Sequence, residues 1–241
     1  MRTIWWFIYF WTYLIGLVPK MKRDQKLKEE GKEEELLANV NQVVYRWASR
    51  LLKVAGVQVT VKGLENIPKE PALYVSNHQG NFDIPILLAK LDSPKSIVAK
   101  VQMEKMPFIS TWMKLFDCVF IDRENPRQSI KVLGQAEENL KQGKSVIIFP
   151  EGTRGKGGPL GEFKSGAFKM AFKTKVPIIP VVIDGSYKIM EANGNWIKPQ
   201  TVKLTILPPI STTDMTKEQS RTIGEEVRLL IENQLLLQGE K

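Results

Sequence analysis

Residues 118–150, CVFIDRENPRQSIKVLGQAEENLKQGKSVIIFP, contain the pattern that decides the fold. The two apolar runs at 118–121 and 145–150 have the length and composition of buried strands. Residues 127–142, which lie between them, are typical of a helix that stops at Gly143, a residue type that commonly ends helices. A strand, a helix and a second strand in this order predict a βαβ unit with parallel strands.

The same alternation continues in both directions along the chain. Thr216 and Gln219 have the spacing of a capping box at the start of a final helix. The sequence therefore predicts an α/β domain over residues 54–241, with a mostly parallel central sheet flanked by helices. The further predicted strands are 57–63, 72–77, 96–100, 176–183 and 201–209, and the further helices are 84–91, 104–115, 165–174 and 216–237.

Residues 1–53 are predicted to form a separate membrane-associating segment of two helices. Residues 3–18 are apolar and rich in Trp, Tyr and Phe, and a helix of this length would measure about 24 Å against a hydrocarbon core of ~30 Å. We therefore expect it to lie in one leaflet, where aromatic rings are favoured. A charged connector is expected at 24–35, and an amphipathic helix at 35–53 that packs on the domain or lies on the membrane.

Two other interpretations of this aromatic segment fit less well. A signal peptide needs a small-residue cleavage site, which does not follow the apolar run. A buried core helix would have to supply a polar partner for each Trp and Tyr ring. We expect attachment to the cytoplasmic face of the cell membrane through the N-terminal helices.

The charge balance indicates an anionic partner. The chain has 35 Lys and Arg against 26 Asp and Glu, a net charge of +9, and residues 36–200 carry the whole excess. Such a basic body suits nucleic acid, an anionic membrane surface or a phosphorylated substrate, or is simply a solvated surface. Nucleic acid is not expected, because no recognisable binding motif is present. With one Cys and one His, the chain can form neither an internal disulfide nor a typical zinc site.

Polar loops follow the carboxyl ends of three predicted strands, where open α/β sheets bind ligands. The first, NHQGNFD at 77–83, holds the only His. A tight turn at Gly80 and Asn81 would bring His78 and Asp83 together as a general base and its orienting carboxylate. A structural loop histidine is the alternative. No G-x-S-x-G elbow occurs, so the pair would activate a substrate hydroxyl directly, without a covalent enzyme intermediate.

The other two loops carry basic residues. Arg123 ends the segment FIDR and is placed to bind an anionic group, unless it pairs with an acidic neighbour. The loop FPEGTRGKGG at 149–158 combines four glycines with Arg154 and a lysine, which suits close approach of the backbone to a ligand. A mobile surface loop is the alternative interpretation of this segment.

Four segments, NHQGNFD, CVFIDR, FPEGTR and VPIIPVVI, occur in this order and resemble the four motif blocks of the glycerophospholipid acyltransferase family, specifically its bacterial 1-acylglycerol-3-phosphate branch. The resemblance covers about residues 56–210. It implies transfer of a fatty acyl chain, without a cofactor, from acyl-CoA or acyl carrier protein to the 2-hydroxyl of lysophosphatidic acid, giving phosphatidic acid. The alternatives are acyl transfer to glycerol 3-phosphate or another lysolipid, and a non-catalytic basic membrane-binding protein.

The resemblance also implies roles for individual residues. His78 would be the general base, Asp83 would orient it, and the fourth block at 176–183 would be structural or line an acyl pocket. Gly155 stands where the family usually has Ser, so this loop departs from the family's pattern at that position. The implied substrate-binding residues are Arg123, Glu151, Gly152, Thr153 and Arg154, and also Lys100 and Lys105, which lie between the first two blocks, where the family often carries a basic residue.

Overall fold

The computed structural model describes residues 1–93 and 95–239, and within these the chain forms eight α-helices and one seven-stranded sheet. Helices α1 to α8 cover Arg2–Gly16, Val18–Glu29, Glu33–Ala55, Asp83–Lys90, Ile109–Leu115, Pro126–Lys141, Lys169–Thr174 and Gln219–Gly239. Strands β1 to β7 cover Val57–Lys62, Leu73–Ser76, Ser96–Lys100, Val119–Ile121, Val146–Ile148, Ile178–Asp184 and Gln200–Ile206.

The predicted α/β fold is confirmed by the order β1-β7-β6-β2-β5-β3-β4 in the sheet. Neighbouring strands are parallel except for β6 and β7, which are antiparallel. The connections between successive parallel strands β2 to β6 contain α-helices, as parallel crossovers require. The connection from β6 to β7 contains only short 3-10 turns, so the chain turns back and the last strand runs the other way.

Helices cover both faces of the sheet, so its central strands are buried on both sides. Tyr74 of β2 packs into the core beneath α1 to α5, whereas Leu73 and Val75 pack into the core beneath α6 to α8. A strand with two covered faces is buried along its whole length, as β2 is, and its sequence is mostly apolar rather than alternating. This explains why short apolar runs marked the strands in the sequence.

The prediction of a charged connector at 24–35 is wrong for most of these residues, which are helical. Helix α2 continues to Glu29, and α3 begins at Glu33. The Lys, Gln and Glu residues of α2 are strong helix formers. One side of α2 also faces the protein, where Met21, Asp24 and Leu27 are buried. Only residues 30–32 remain as a turn before α3, so the N-terminal segment has three helices instead of two.

Helices α1 to α3 pack closely on the rest of the protein. The indole N–H of Trp6 donates to the Leu51 carbonyl at 3.0 Å. The Ile197 N–H donates to the Thr3 hydroxyl at 2.8 Å, which ties α1 to the chain before β7. The Lys28 ammonium donates to the Lys114 carbonyl at 2.6 Å, which ties α2 to α5. None of the helices in the described residues is long and apolar enough to cross a membrane.

One predicted helix is shortened for a local reason, and one predicted capping box forms. The helix expected at 104–115 is a 3-10 turn at Val101–Lys105 followed by α5, because Pro107 disfavours helical geometry in the residue before it. The capping box at Thr216 and Gln219 forms with reciprocal hydrogen bonds of 2.8 and 3.2 Å, and α8 follows it.

Candidate active site

The three polar loops meet at the carboxyl ends of β2, β4 and β5, where one cavity is lined by a residue from each of them. These residues are His78, Arg123 and Arg154. Because β2, β5, β3 and β4 are parallel neighbours, their carboxyl ends share one edge of the sheet. The structure therefore brings together side chains that are up to 76 positions apart in sequence.

His78 and Asp83 form a direct pair. The His78 Nδ1 atom lies 2.7 Å from Asp83 Oδ2. The turn between them is closed by the Asp83 N–H donating to the Gly80 carbonyl at 3.3 Å. The exposed fractions of the two side chains are 15% for His78 and 0% for Asp83, so only the ring is accessible to a substrate. With Asp83 ionised, Nδ1 carries the proton and Nε2 is free to accept one.

The Asp83 carboxylate is held by several donors besides His78. Its Oδ2 atom accepts the Gln79 N–H at 2.7 Å and the Gly80 N–H at 2.9 Å. Its Oδ1 atom accepts the hydroxyl of Ser186, which follows β6. A buried carboxylate needs such donors to remain ionised, and their directions fix its plane against the imidazole.

Glu151 braces the loops that follow β2 and β5. One of its carboxylate oxygens accepts the His78 N–H at 2.8 Å, and the other accepts the Gly161 N–H at 3.0 Å. The Gly155 N–H donates to the His78 carbonyl at 2.8 Å. Phe149 stacks on the His78 ring with centroids 4.2 Å apart. These contacts fix the position of His78, and both oxygens of Glu151 are already engaged with backbone groups.

Three cationic side chains line the same cavity as His78: Lys100 at the end of β3, Arg123 after β4 and Arg154 after β5. Burial lowers the pKa of Lys100, and the charges of Arg123 and Arg154 lower it further. Burial also lowers the pKa of Arg123, whose Nη1 atom is buried and has no hydrogen-bond partner among the described residues. Arg154 is partly neutralised by Glu191 at 3.4 Å. The cluster retains an excess of positive charge and at least one unused donor for an anion.

Four substrate-binding residues implied by the resemblance, Glu151 and three others, lie outside the cavity lining. Lys105 is exposed on the 3-10 turn after β3, and Thr153 is exposed on the loop after β5. Gly152 has a left-handed backbone (φ +74°), and an added Cβ there would lie 3.5 Å from Lys164 Nζ and 3.7 Å from Arg123 Cδ. Gly152 therefore lets the chain turn beside Arg123, whereas the structure does not bring Lys105 or Thr153 to the cavity.

The other side chains that line the cavity are mostly apolar, and we call this apolar part the channel; the cavity as a whole has a volume of about 490 Å³. The strand 176–183 does not contribute to its lining, because β6 is enclosed in the sheet. The apolar walls come instead from α1, α3, α4 and α5, so the N-terminal helices form part of the cavity. Representative lining residues are Trp6, Phe10, Leu14, Trp47, Leu88 and Trp112.

Two functional residues were not predicted from the sequence. They are Ser186, whose hydroxyl donates to Asp83 Oδ1, and Gln79, whose N–H donates to Asp83 Oδ2. Ser186 lies in the segment DGS at 184–186, a polar, glycine-containing stretch directly after the carboxyl end of β6. The rule that selected the other three loops applies to this one as well, so it could have been found.

A family model described as Acyltransferase matches residues 58–184 of the chain, which include both His78 and Asp83. The chain belongs to the acyltransferase family. This match spans β2 to β6 and all three loops, so acyl transfer is the class of reaction that the site serves.

Relatives and a solved structure give the same family. A Mycoplasma pneumoniae protein named "Probable 1-acyl-sn-glycerol-3-phosphate acyltransferase" is 36% identical over 76% of this chain and 73% of its own length. The 1-acyl-sn-glycerol-3-phosphate acyltransferase of Saccharomyces cerevisiae is 34% identical over 72% of this chain and 58% of its own. The crystal structure of the 1-acyl-sn-glycerophosphate (LPA) acyltransferase PlsC from Thermotoga maritima is 25% identical, with a TM-score of 0.86 over 100% of this chain and 95% of that one.

Proposed function

We propose that this acyltransferase moves a fatty acyl chain from an acyl thioester to the 2-hydroxyl of 1-acylglycerol 3-phosphate, giving phosphatidic acid for phospholipid synthesis. The observation that carries the proposal is that His78, a cationic cluster and an apolar channel line one cavity. Lysophosphatidic acid has a phosphate at one end, an acyl chain at the other and a free hydroxyl between them. The cationic side chains suit its phosphate, the apolar side chains suit its acyl chain, and His78 suits its hydroxyl.

His78 acts as the general base in this mechanism. As the 2-hydroxyl oxygen attacks the thioester carbonyl, its proton passes to His78 Nε2, and Asp83 stabilises the imidazolium. Collapse of the tetrahedral intermediate breaks the C–S bond, and the departing thiolate takes the proton back from His78. A new C–O ester bond replaces the C–S bond, and the enzyme returns to its starting state.

The available nucleophiles fit a mechanism without an acyl-enzyme. Cys118, the only thiol of the chain, is buried before β4, and burial raises the pKa of its thiol. A thiol that is out of reach and resists ionisation is a poor nucleophile. The buried hydroxyl of Ser186 donates to Asp83 instead of facing the channel. Direct attack by the acceptor hydroxyl is therefore the step that the site favours.

Lys100, Arg123 and Arg154 bind the acceptor phosphate in this proposal. The pKa of Lys100 is lowered first by burial and then by repulsion from the two arginines, so a phosphate dianion among them would relieve that repulsion. It would also accept from the buried Arg123 Nη1, which has no partner among the described residues. Guanidinium groups suit this role because their paired N–H groups match phosphate oxygens.

The apolar channel favours a lysolipid acceptor over glycerol 3-phosphate. The volume of the whole cavity, about 490 Å³, and the Trp, Phe, Leu and Met side chains that line the channel suit an alkyl chain. Glycerol 3-phosphate has no chain to place there, and its binding would leave these apolar walls in contact with water. The acyl donor would bring its own chain, carried by coenzyme A or by acyl carrier protein.

We further propose that α1 attaches the enzyme to the cytoplasmic face of the cell membrane. One side of α1 packs on the protein, and the other exposes Ile4, Trp5, Ile8 and Ile15. With 15 residues the helix is about 22 Å long, which suits a position in one leaflet, where Trp is favoured. Because α1 also lines the channel, this position would open the site towards its lipid substrates.

The test is an acyl-transfer assay on the purified protein with lysophosphatidic acid and glycerol 3-phosphate, each with acyl-CoA and with acyl carrier protein as donor. Wild-type protein should acylate lysophosphatidic acid much faster than glycerol 3-phosphate. His78→Ala should lower kcat by roughly 10²–10⁴-fold, since a general base contributes about that factor. Circular dichroism should confirm that the variant is folded. Near-wild-type turnover of His78→Ala would overturn the mechanism, and no transfer by the wild type would favour a binding protein.

A further inference from the structure

Ser186 lies directly behind the His78–Asp83 pair, on a different part of the fold. It follows the turn at Gly185, where β6 has ended, and its side chain is fully buried. Its hydroxyl donates to Asp83 Oδ1, the carboxylate oxygen that faces away from His78. Among the described residues no other side chain or backbone group donates to Oδ1. Ser186, Asp83 and His78 thus form a continuous chain of hydrogen bonds that ends at the ring facing the cavity.

Gln79 fixes Ser186 in this position. The Gln79 side-chain oxygen accepts the N–H groups of Gly185 at 2.9 Å and of Ser186 at 3.2 Å. Ser186 Oγ lies 3.4 Å from this Gln79 oxygen, and it lies closer than that to Asp83 Oδ1. A hydroxyl has one proton to donate, and the shorter contact directs it to Asp83. The residue next to His78 therefore holds the backbone that presents Ser186 to Asp83.

We propose that Ser186 is a positioning residue that sets the proton affinity of the His78–Asp83 pair through the hydrogen bond to Asp83 Oδ1. This proposal rests on the general-base role of His78 in the proposed function. Ser186 touches neither the substrate nor the reacting atoms. It acts by stabilising the ionised form of Asp83 and by holding the carboxylate plane against the imidazole.

The direction of the effect follows from the charge on Asp83. A hydrogen bond to a carboxylate stabilises its ionised form and draws charge away from its other contacts. Without the Ser186 hydroxyl, the Asp83 carboxylate would hold the Nδ1 proton of His78 more strongly and would stabilise the imidazolium more. The ring of His78 would then titrate at a higher pH, by about one unit for one lost hydrogen bond.

The other charged groups that face the pair are unchanged by a substitution at Ser186. Glu151 contacts the backbone of His78 from the loop after β5, and Glu191 contacts the loop at Gly80 from the turn after β6. The cations on the channel side are Lys100, Arg123 and Arg154. A shift seen in a Ser186 variant therefore reports on the lost hydroxyl.

The first measurement uses the fact that the chain has a single histidine. Untagged protein labelled with ¹⁵N-histidine gives one pair of imidazole nitrogen resonances, whose pH titration can be followed without any substrate. We expect the titration midpoint in Ser186→Ala to lie about one pH unit above that of the wild type. Ser186→Thr, which keeps a hydroxyl, should restore the wild-type midpoint. An unchanged or lowered midpoint in folded Ser186→Ala would overturn the proposal.

The second measurement is the pH dependence of kcat/KM for acyl transfer. With a midpoint one unit higher, Ser186→Ala should lose about tenfold in kcat/KM below both midpoints and approach the wild type above them. A purely structural defect would instead lower kcat/KM by the same factor at every pH, and this result would contradict the proposal. The KM for the acceptor at high pH should not change, because Ser186 does not line the cavity.

Ser96→Ala is a matched control. Ser96 is also buried, and its hydroxyl donates to the Asp117 carbonyl at 2.6 Å. It lies at the amino end of β3, opposite the carboxyl ends that carry the site. Ser96→Ala should lower the free energy of unfolding without shifting the titration midpoint of His78 or the midpoint of the pH profile of kcat/KM. If the wild type transfers no acyl group, the proposed function fails, yet the titration of His78 still decides the role of Ser186.

Discussion

Replacing Trp6 by Ala should destabilise the whole protein, whereas replacing the adjacent Trp5 by Ala should not. The exposed fractions are 7% for Trp6 and 65% for Trp5, although both lie on α1. The Trp6 ring packs against Phe10 and Phe82 with centroids 5.3 Å away in both cases, and its indole N–H donates to the Leu51 carbonyl. Trp6 thus joins α1 to α3 and to the loop that carries His78.

The size of the effect follows from these contacts. Removing a buried aromatic ring costs about 3–5 kcal/mol in the free energy of unfolding, and a substitution at an exposed position is usually within about 0.5 kcal/mol. For a chain of this size, the loss at Trp6 corresponds to a fall in Tm of roughly 6–20 °C. Trp6→Phe keeps a ring but loses the hydrogen bond, so its cost should be smaller, about 1–2 kcal/mol.

The assay compares thermal and denaturant unfolding of the four proteins at one detergent concentration, together with sedimentation on anionic vesicles. Trp6→Ala should unfold earliest, with Trp6→Phe between it and the wild type. Trp5→Ala should unfold like the wild type but bind vesicles less well, because its ring faces outwards. Equal stability of Trp6→Ala and wild type would refute the conclusion that α1 is part of the folded body. It would indicate a detachable anchor instead.

Two further predictions concern the cationic cluster and an ion pair outside the site. Arg123→Ala should raise the acceptor KM by roughly 10–100-fold, which corresponds to the loss of a charge-assisted hydrogen bond. Lys105→Ala, the control, should leave this KM within about twofold of the wild type. Similar KM values for the two variants would refute the assignment of Arg123 to the acceptor phosphate. Burial alone would raise the pKa of Asp117, but hydrogen bonds from Lys144 and Lys28 outweigh it and lower that pKa. The resulting stability is present above the unfolded-state pKa of about 3.9 and is lost as the pH falls through the folded-state pKa. Asp117→Asn should therefore destabilise the protein at pH 7. The difference in denaturant midpoint between this variant and the wild type should shrink below about pH 4. A difference that stays constant with pH would contradict the conclusion that the ionised Asp117 carboxylate is the source of this stability.

The secondary structure of the α/β domain could largely be predicted because its signals are local. A short apolar run between turn residues identifies a strand such as β5, and Thr216 with Gln219 marks the start of α8 through hydrogen bonds within one turn. The prediction failed where tertiary contacts compete with composition. The charges at 24–35 suggested a connector, but residues 24–29 belong to α2. One side of this helix packs on the protein and buries Met21 and Leu27.

The residues of the candidate site could be predicted from the sequence, but the way they come together could be predicted only in part. His78 and Asp83 are five positions apart, so a single turn at Gly80 is enough to pair them, and the sequence contains that turn. Arg123 and Arg154 were identified one by one through their positions after strands. Their meeting with Lys100 in one cavity depends on β5 lying beside β3 in the sheet, which no local pattern specifies.

The sequence by itself determined the strand–helix alternation, the turn that joins His78 to Asp83 and the basic character of the body, because each depends on residues within one turn, one strand or a simple count. Only the tertiary structure decided that α1 and α3 wall the channel, that Lys105 lies outside the cavity and that Ser186 completes the hydrogen bonds of Asp83. Those contacts join segments that are far apart in sequence; Ser186 and Asp83, for example, are 103 positions apart. They are fixed by the order of the strands and by helix packing, since a buried carboxylate takes its donors from whichever element the fold places beside it.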